Sequence, residues 1–321
     1  MNIATLSDAL VAAAIASYAA SFVVSAADVA RGRLAMWAAV PTAAEVLPNA
    51  ASSPSSIRQP PAPRPGDGTA ALDQAGSRRL TVAAVALLAV GCALNIGSVI
   101  ARGAAAQRAP WGNMYEFALV GAVSISAAFL LTRRRFAVDR LSIAVAGLAL
   151  MVLGLAVTVL YVPVDALIPV LNSYWLAVHV AAAIVAGGAF TIAAIASLTF
   201  LWRTRQARRR GEPQDPAGMT GVLERASYGL VVFAFPIWTF AVLAGAVWAE
   251  AAWGRYWGWD PKETWAFITW VLYAAYLHAQ ATAGWRGRRA AWFGVLGYAA
   301  FLFNFVGVNI WIPGLHSYAG V

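Results

Sequence analysis

Long apolar runs follow one another along this chain, and charge is confined to short islands between them. A continuous apolar stretch of about 18 or more residues is long enough to cross a bilayer as a helix. Eight stretches qualify: 5–27, 82–101, 114–132, 141–161, 174–202, 227–249, 264–283 and 291–311. Only 12% of residues are charged and 61% are hydrophobic, against about 25% charged in an ordinary soluble domain. The expected fold is therefore an all-α membrane protein of about eight transmembrane helices. The first run invites comparison with a cleavable leader. It has no basic stretch before it, Asp8 being the only charge before Asp28, and its apolar run is too long. Residues 1–30 are read as a retained first transmembrane helix.

The net charge of +9 suggests acidic partners, but in a membrane protein the distribution of Lys and Arg matters more than their sum. With the N-terminus outside, the inside segments collect Arg31, Arg33, Arg58, Arg64, Arg78, Arg79, Arg133, Arg134, Arg135 and Arg140. They also collect Arg203, Arg205, Arg208, Arg209, Arg210, Arg225, Arg286, Arg288 and Arg289. That leaves Arg102, Arg108, Arg255 and Lys262 outside. The asymmetry places both termini, and the loop between helices six and seven, on the outer face. The basic clusters are read as topology signals facing the lipid bilayer, with no nucleic-acid partner.

Residues 31–81 contain the run Ser-Ser-Pro-Ser-Ser-Ile-Arg-Gln-Pro-Pro-Ala-Pro-Arg-Pro-Gly, the composition of a disordered linker. They are expected to form a cytoplasmic connection to a transmembrane domain over 82–321. The single cysteine, Cys92, lies in the second apolar run. With no Cys-x-x-Cys pair, a disulfide framework or thiol-reductant function is excluded, and burial is the default for Cys92. No phosphate-binding glycine loop occurs, so an ATP-driven activity would need a separate chain.

The loop over 248–265 reads Trp248-Ala-Glu-Ala-Ala-Trp253-Gly-Arg255-Tyr-Trp257-Gly-Trp259-Asp260-Pro-Lys262-Glu263-Thr-Trp265, with five of the chain's 14 tryptophans. Indoles anchor helix ends at headgroup depth, and Trp111, Trp175 and Trp311 suit that role. Five in one loop exceeds what anchoring needs. Asp260, Pro261 and Glu263 match an Asp-capped helix start with a capping box. Gly254 and Gly258 permit tight turns and leave room for a flat ligand between indoles. Trp253, Trp257 and Trp259 supply aromatic faces, while Arg255 and Lys262 can pair with acid groups. A large planar apolar ligand carrying carboxylates suits this loop, and haem meets that description.

The three histidines of the chain extend this reading. His179 lies near the outer start of the fifth run and His316 follows the last run on the same side. His278 lies 17 residues beyond Pro261, roughly 25 Å deeper at ~1.5 Å per residue. Imidazole suits iron, and two imidazoles form an axial pair for haem. An interfacial histidine is also a common polar anchor, whereas an ionisable group inside a span is a functional candidate by default.

The run Trp253-Gly-x-x-Trp257-x-Trp259-Asp260-Pro-Lys-Glu-Thr-Trp265 resembles the WWD signature of haem-handling proteins, and its continuation resembles the CcsA/ResC branch of System II cytochrome c biogenesis. Asn113-Met-Tyr-Glu116, Ser173-Tyr-Trp-Leu-x-x-His179, Leu277-His278 and Gly314-Leu-His316-Ser-Tyr318 are similar to the same family. The likeness covers the chain from about 110 onward. It implies that His179 and His316 are axial ligands of haem b at an outer site, with the WWD loop including Asp260 holding the porphyrin. It implies that His278 is an intramembrane haem ligand whose counterpart belongs to a ResB-type partner. Gln280 departs from the basic residue expected there. The implied function is haem presentation to an apocytochrome c for thioether formation at Cys-x-x-Cys-His, as a subunit of a cytochrome c synthase in a bacterial inner membrane. A haem exporter or chaperone without ligation activity needs the same sites. A b-type electron-transfer subunit ordinarily carries its ligands within the spans, unlike His179 and His316.

Overall fold

The computed structural model describes residues 2–38, 67–164, 173–213, 216–282 and 284–316, with the backbone alone for 32–38 and 67–74. Eight major helices run antiparallel in chain order: α1 (Ile3–Ala38), α2 (Asp67–Ala106), α3 (Met114–Phe136), α4 (Ser142–Thr158), α5 (Tyr174–Arg209), α6 (Met219–Trp253), α7 (Pro261–Ala281) and α8 (Arg288–Leu302). A five-residue π-helical segment over Phe303–Gly307 joins α8 to α9 (Val308–Trp311), so the last span is continuous to 311. All eight expected apolar runs are helical, and the chain is a multi-pass membrane protein. Among the described residues, seven helices are both long and apolar enough to cross a membrane. The exception, α7, has the length but carries Trp265, Trp270, Tyr273, Tyr276, His278 and Gln280, which lower its hydropathy.

Helix also occupies both ends of the stretch expected as linker, because α1 continues to Ala38 and α2 starts at Asp67. Neither the Ala-rich end of the first segment nor the Ala-rich start of the second holds a proline, so both helices propagate past the membrane boundary despite a few glycines. The Pro/Ser-rich centre, with Arg58 and Arg64, lies outside the described residues.

Hydroxyl groups align the first hairpin. Ser7, Ser17 and Ser21 of α1 donate to the backbone carbonyls of Ser98, Leu87 and Ala84 of α2, at 3.0, 2.8 and 2.7 Å. Without water, such polar side chains must find partners on a neighbouring helix. The four helices α1–α4 pack together, α5–α8 form a second group, and α3 against α5 is the principal seam between them. That seam depends on small residues. A Cβ on Gly188 would lie 2.2 Å from Ser124 Oγ of α3, and within the second group one on Gly187 would lie 2.6 Å from the Phe301 ring of α8. Glycine therefore lets the helix backbones approach closely. Cys92 is buried, as expected.

Antiparallel alternation gathers the N-terminus, the turn 107–113, the segment after α4, the tryptophan-rich loop and residues 312–316 at one end. The opposite end collects the arginine clusters at 78–79, 133–140, 203–210 and 286–289.

Candidate functional site

Asp260 does begin α7. Its side chain accepts from Lys262 N, and Glu263 Oε2 accepts from Asp260 N at 3.0 Å, completing the expected capping box. The same Glu263 oxygen accepts from Gly258 N at 2.8 Å. Trp259, between these two donors, adopts a left-handed φ of 58°, which turns both flanking N–H groups toward one carboxylate in the manner of an anion nest. Glu263 thus determines the path of the loop as well as the helix start.

The cap does a second job. Asp260 Oδ1 accepts from Leu315 N at 2.8 Å, and Oδ2 accepts from His316 Nδ1 at 2.8 Å. Burial opposes ionisation of this carboxyl, but the His316 hydrogen bond, the Leu315 N–H and the Lys262 N–H outweigh it. The carboxyl is held down to about 2. A carboxylate only accepts, so His316 carries its proton on Nδ1 and presents Nε2 as the basic nitrogen. Gly314 allows this clasp, since a Cβ there would lie 2.8 Å from Asp260 Oδ1. Ser317 and Tyr318 of the terminal motif lie outside the described residues.

His179 is fixed by the same principle. Its Nδ1 donates to the Ala241 carbonyl of α6 at 2.7 Å, which again leaves Nε2 as the basic nitrogen. That carbonyl is reachable because the residue one turn on is Gly245, where a Cβ would lie 2.7 Å from Nδ1. Trp248, a further turn along α6, is buried and packs against Trp253 with ring centroids 4.8 Å apart. Both indoles meet the His316 imidazole, at 5.8 Å for Trp248 and 4.9 Å for Trp253. Leu176 and Val180, flanking His179 on α5, join Trp248 in one apolar cluster, with Trp111, Phe117 and Trp253 against it. His179, His316, Trp248, Trp253 and Asp260 therefore share one end of the bundle.

The other expected site residues are distributed differently. Trp257 and Trp259 pair edge-to-face with each other at 5.7 Å, and Trp259 turns to Phe267 with 66% of its surface exposed. The space at Gly258 is taken by Arg255, whose guanidinium a Cβ would meet at 2.3 Å, so the gap expected for a flat ligand is filled by this side chain. Lys262 Nζ donates to Asn309 Oδ1, and Asn309 Nδ2 donates to Phe305 O and Met114 Sδ. His278 lies apart, exposed in the last turn of α7 at the basic end, with Thr282 Oγ1 3.5 Å from its Nε2.

Asn113-Met-Tyr-Glu116 frames the site from the α2–α3 side. Glu116 is fully buried, with Oε1 3.1 Å from Arg102 Nε and Oε2 2.7 Å from Arg108 Nη1. It also accepts from Gly112 N at 2.8 Å, and Asn113 caps α3 by accepting from Glu116 N. Arg102 goes on to donate to Val162 O at 2.6 Å. One carboxylate thus ties together two connections at the tryptophan-rich end and seats Trp111 against the cluster beside His179. Gly245, Ala241 and the clasping role of Asp260 escaped sequence reasoning, because their meaning depends on contacts between helices. The four-residue spacing of Ala241 and Gly245 was visible but carries no signal alone.

A family model described as "Cytochrome C assembly protein" matches residues 111–316. The chain is 35% identical over 203 residues to the cytochrome c biogenesis protein CcsA of Gloeobacter violaceus, covering 47% of this chain and 60% of that one. It is 40% identical over 152 residues to CcsA of Chlamydomonas reinhardtii, covering 47% of this chain and 42% of the relative. The match to CcsA of Synechococcus sp. strain JA-3-3Ab is longer, 32% identical over 287 residues, covering 71% of this chain and 83% of the relative. Against the first two, the chain matches about half of the relative's length. Its fold is also similar to that of a solved cytochrome c heme lyase, CcmF, with TM-score 0.63 and 18% identity over 95% of this chain and 47% of that one.

Proposed function

Because this chain is a CcsA-type member of the cytochrome C assembly protein family, with a role in cytochrome c biogenesis, we propose that it holds haem b as substrate at the tryptophan-rich end and presents it to an apocytochrome c. The observation that carries this reading is the matched treatment of two histidines. His179 and His316 lie far apart within the family match, and each has Nδ1 committed to an acceptor-only oxygen. Metal-binding imidazoles are held in this way, because the Nδ1 bond orients the ring and raises the basicity of the ligating Nε2. The two imidazoles lie within electrostatic range of each other, and Trp248 and Trp253 supply an apolar wall beside them.

The donor set fits an iron porphyrin: two neutral imidazoles for the axial positions, indole faces for the ring, and cationic Lys262 within reach of acid groups. Bound haem supplies the vinyl groups to which the two cysteine thiols of a Cys-x-x-Cys-His segment add as thioethers. The chain's residues contribute position. Asp260 and Ala241 orient the imidazoles, Trp248 and Trp253 exclude water from one face, and Glu263 holds the loop open to the outside. Preorganisation of this kind lowers the entropic part of the barrier without a protein nucleophile.

The arginine asymmetry supports an orientation with this end outside a bacterial inner membrane. His278, at the far end of α7 and facing outward, suits an entry ligand completed by a ResB-type partner. The absorption spectrum of the purified full chain tests the assignment. Wild type should show a low-spin bis-imidazole spectrum on adding haem, and His179→Ala or His316→Ala should each convert it to a five-coordinate one. Unchanged spectra in both variants would overturn the ligand pair.

A further inference from the structure

At the basic end, a turn after α3, the start of α2 and the first residue of α6 enclose a surface groove of about 330 Å³. Arg78 of α2 and Arg140 before α4 both line it, with Ser77, Thr81, Ala137, Asp139 and Met219. The acidic groups nearby are already engaged. Asp139 pairs with Arg133 at 2.6 Å, and Asp28 accepts from the Ser77 and Thr81 hydroxyls at 2.6 and 2.9 Å. Among the described residues neither Arg78 nor Arg140 has a carboxylate partner. Arg78 and Arg140, carried by separate elements, therefore converge on one groove.

Topology signals alone do not require such convergence, since arginines splayed on any short loop retain a helix orientation equally well. Two guanidinium groups brought together around a concave surface repel one another unless an anion lies between them. The surroundings indicate where that anion comes from. One turn beyond Arg78 on the same helix face is Val82, 62% exposed, and one turn beyond Arg140 is exposed Ala144. Both lead from the charged rim onto the apolar belt.

We propose that this groove binds the phosphodiester headgroup of an anionic phospholipid, with Arg78 and Arg140 as the recognising residues and the acyl chains lying over the surface marked by Val82 and Ala144. Basic pockets between membrane helices recognise lipid phosphates by this chemistry. The site lies at the opposite end of the bundle from the histidine pair and stands independently of how that pair is used.

Native mass spectrometry of the purified full chain, equilibrated in neutral micelles with equimolar phosphatidylglycerol and phosphatidylcholine, tests this. Wild type should retain phosphatidylglycerol in preference. R78Q/R140Q should weaken that retention roughly tenfold or more, from two lost surface charges. R134Q/R135Q, which removes equal charge from the same end outside the groove, should keep it. Equal retention of the two lipids by wild type would overturn the proposal, even were the double variant unable to fold. So would undiminished retention by R78Q/R140Q. Thermal stabilisation by inorganic phosphate equal to that by phosphatidylglycerol would assign the groove to a soluble anion instead.

Discussion

Asp260 and His316, 56 residues apart in the chain, meet through a 2.8 Å hydrogen bond between carboxylate and imidazole. The same carboxylate caps α7 through Lys262 N. A helix start and a proposed iron ligand therefore share one side chain, and the two roles can be separated. Asn caps a helix as well as Asp does, but its amide cannot set the imidazole tautomer as an ionised carboxylate does.

Asp260→Asn is thus expected to leave thermal stability within about 0.5 kcal/mol of wild type while weakening haem retention roughly tenfold or more, the range seen when outer-shell partners of a metal ligand are removed. Haem titration followed by absorption, beside a thermal melt, reads both. A large stability loss with unaltered haem retention would mean that Asp260 serves the fold alone.

Gly245→Ala places a methyl group where His179 Nδ1 sits 2.7 Å away. The imidazole must leave the Ala241 carbonyl, and the low-spin spectrum should be lost while the helical content stays. Ala is the better helix former, so a destabilised helix cannot account for the change. Retention of six-coordinate haem in Gly245→Ala would show that His179 tolerates another orientation.

His278→Ala separates entry from presentation. In cells that carry the partner chain, this variant should accumulate less haem and less holocytochrome. Haem added to the purified protein should still give the bis-imidazole spectrum, because His179 and His316 lie at the opposite end of the bundle. Equal loss in both assays would tie His278 to the stability of the histidine-pair site itself.

Glu116→Gln removes a fully buried charge that pairs with both Arg102 and Arg108. Breaking a buried pair on one side costs about 3–5 kcal/mol, so a marked fall in the melting temperature is expected. The exposed pair Arg210–Glu212, at 3.8 Å, provides the comparison: Glu212→Gln should change stability by less than about 1 kcal/mol. Similar melts for the two variants would argue against a framing role for Glu116.

Much of this protein was legible in its sequence because the physics involved is local. A run of about twenty apolar residues can satisfy its backbone in a membrane only as a helix, and all eight runs are helical. The capping box at Asp260 and Glu263 needs only a three-residue spacing, and it forms as read. Helix alternation alone sends His179, His316 and the tryptophan-rich loop to one end and His278 to the other. The tertiary structure decided what those residues touch. Trp257 and Trp259 were equal to Trp253 in the sequence, yet Trp253 stands beside His316 while the other two pair with each other. Gly258 was read as room for a ligand, but the long side chain of Arg255 folds into that space. The bonds from Asp260 to His316 and from Ala241 to His179 join positions 56 and 62 residues apart. No periodicity records such pairings, because they are settled when separate helices pack and each buried imidazole N–H must find an acceptor.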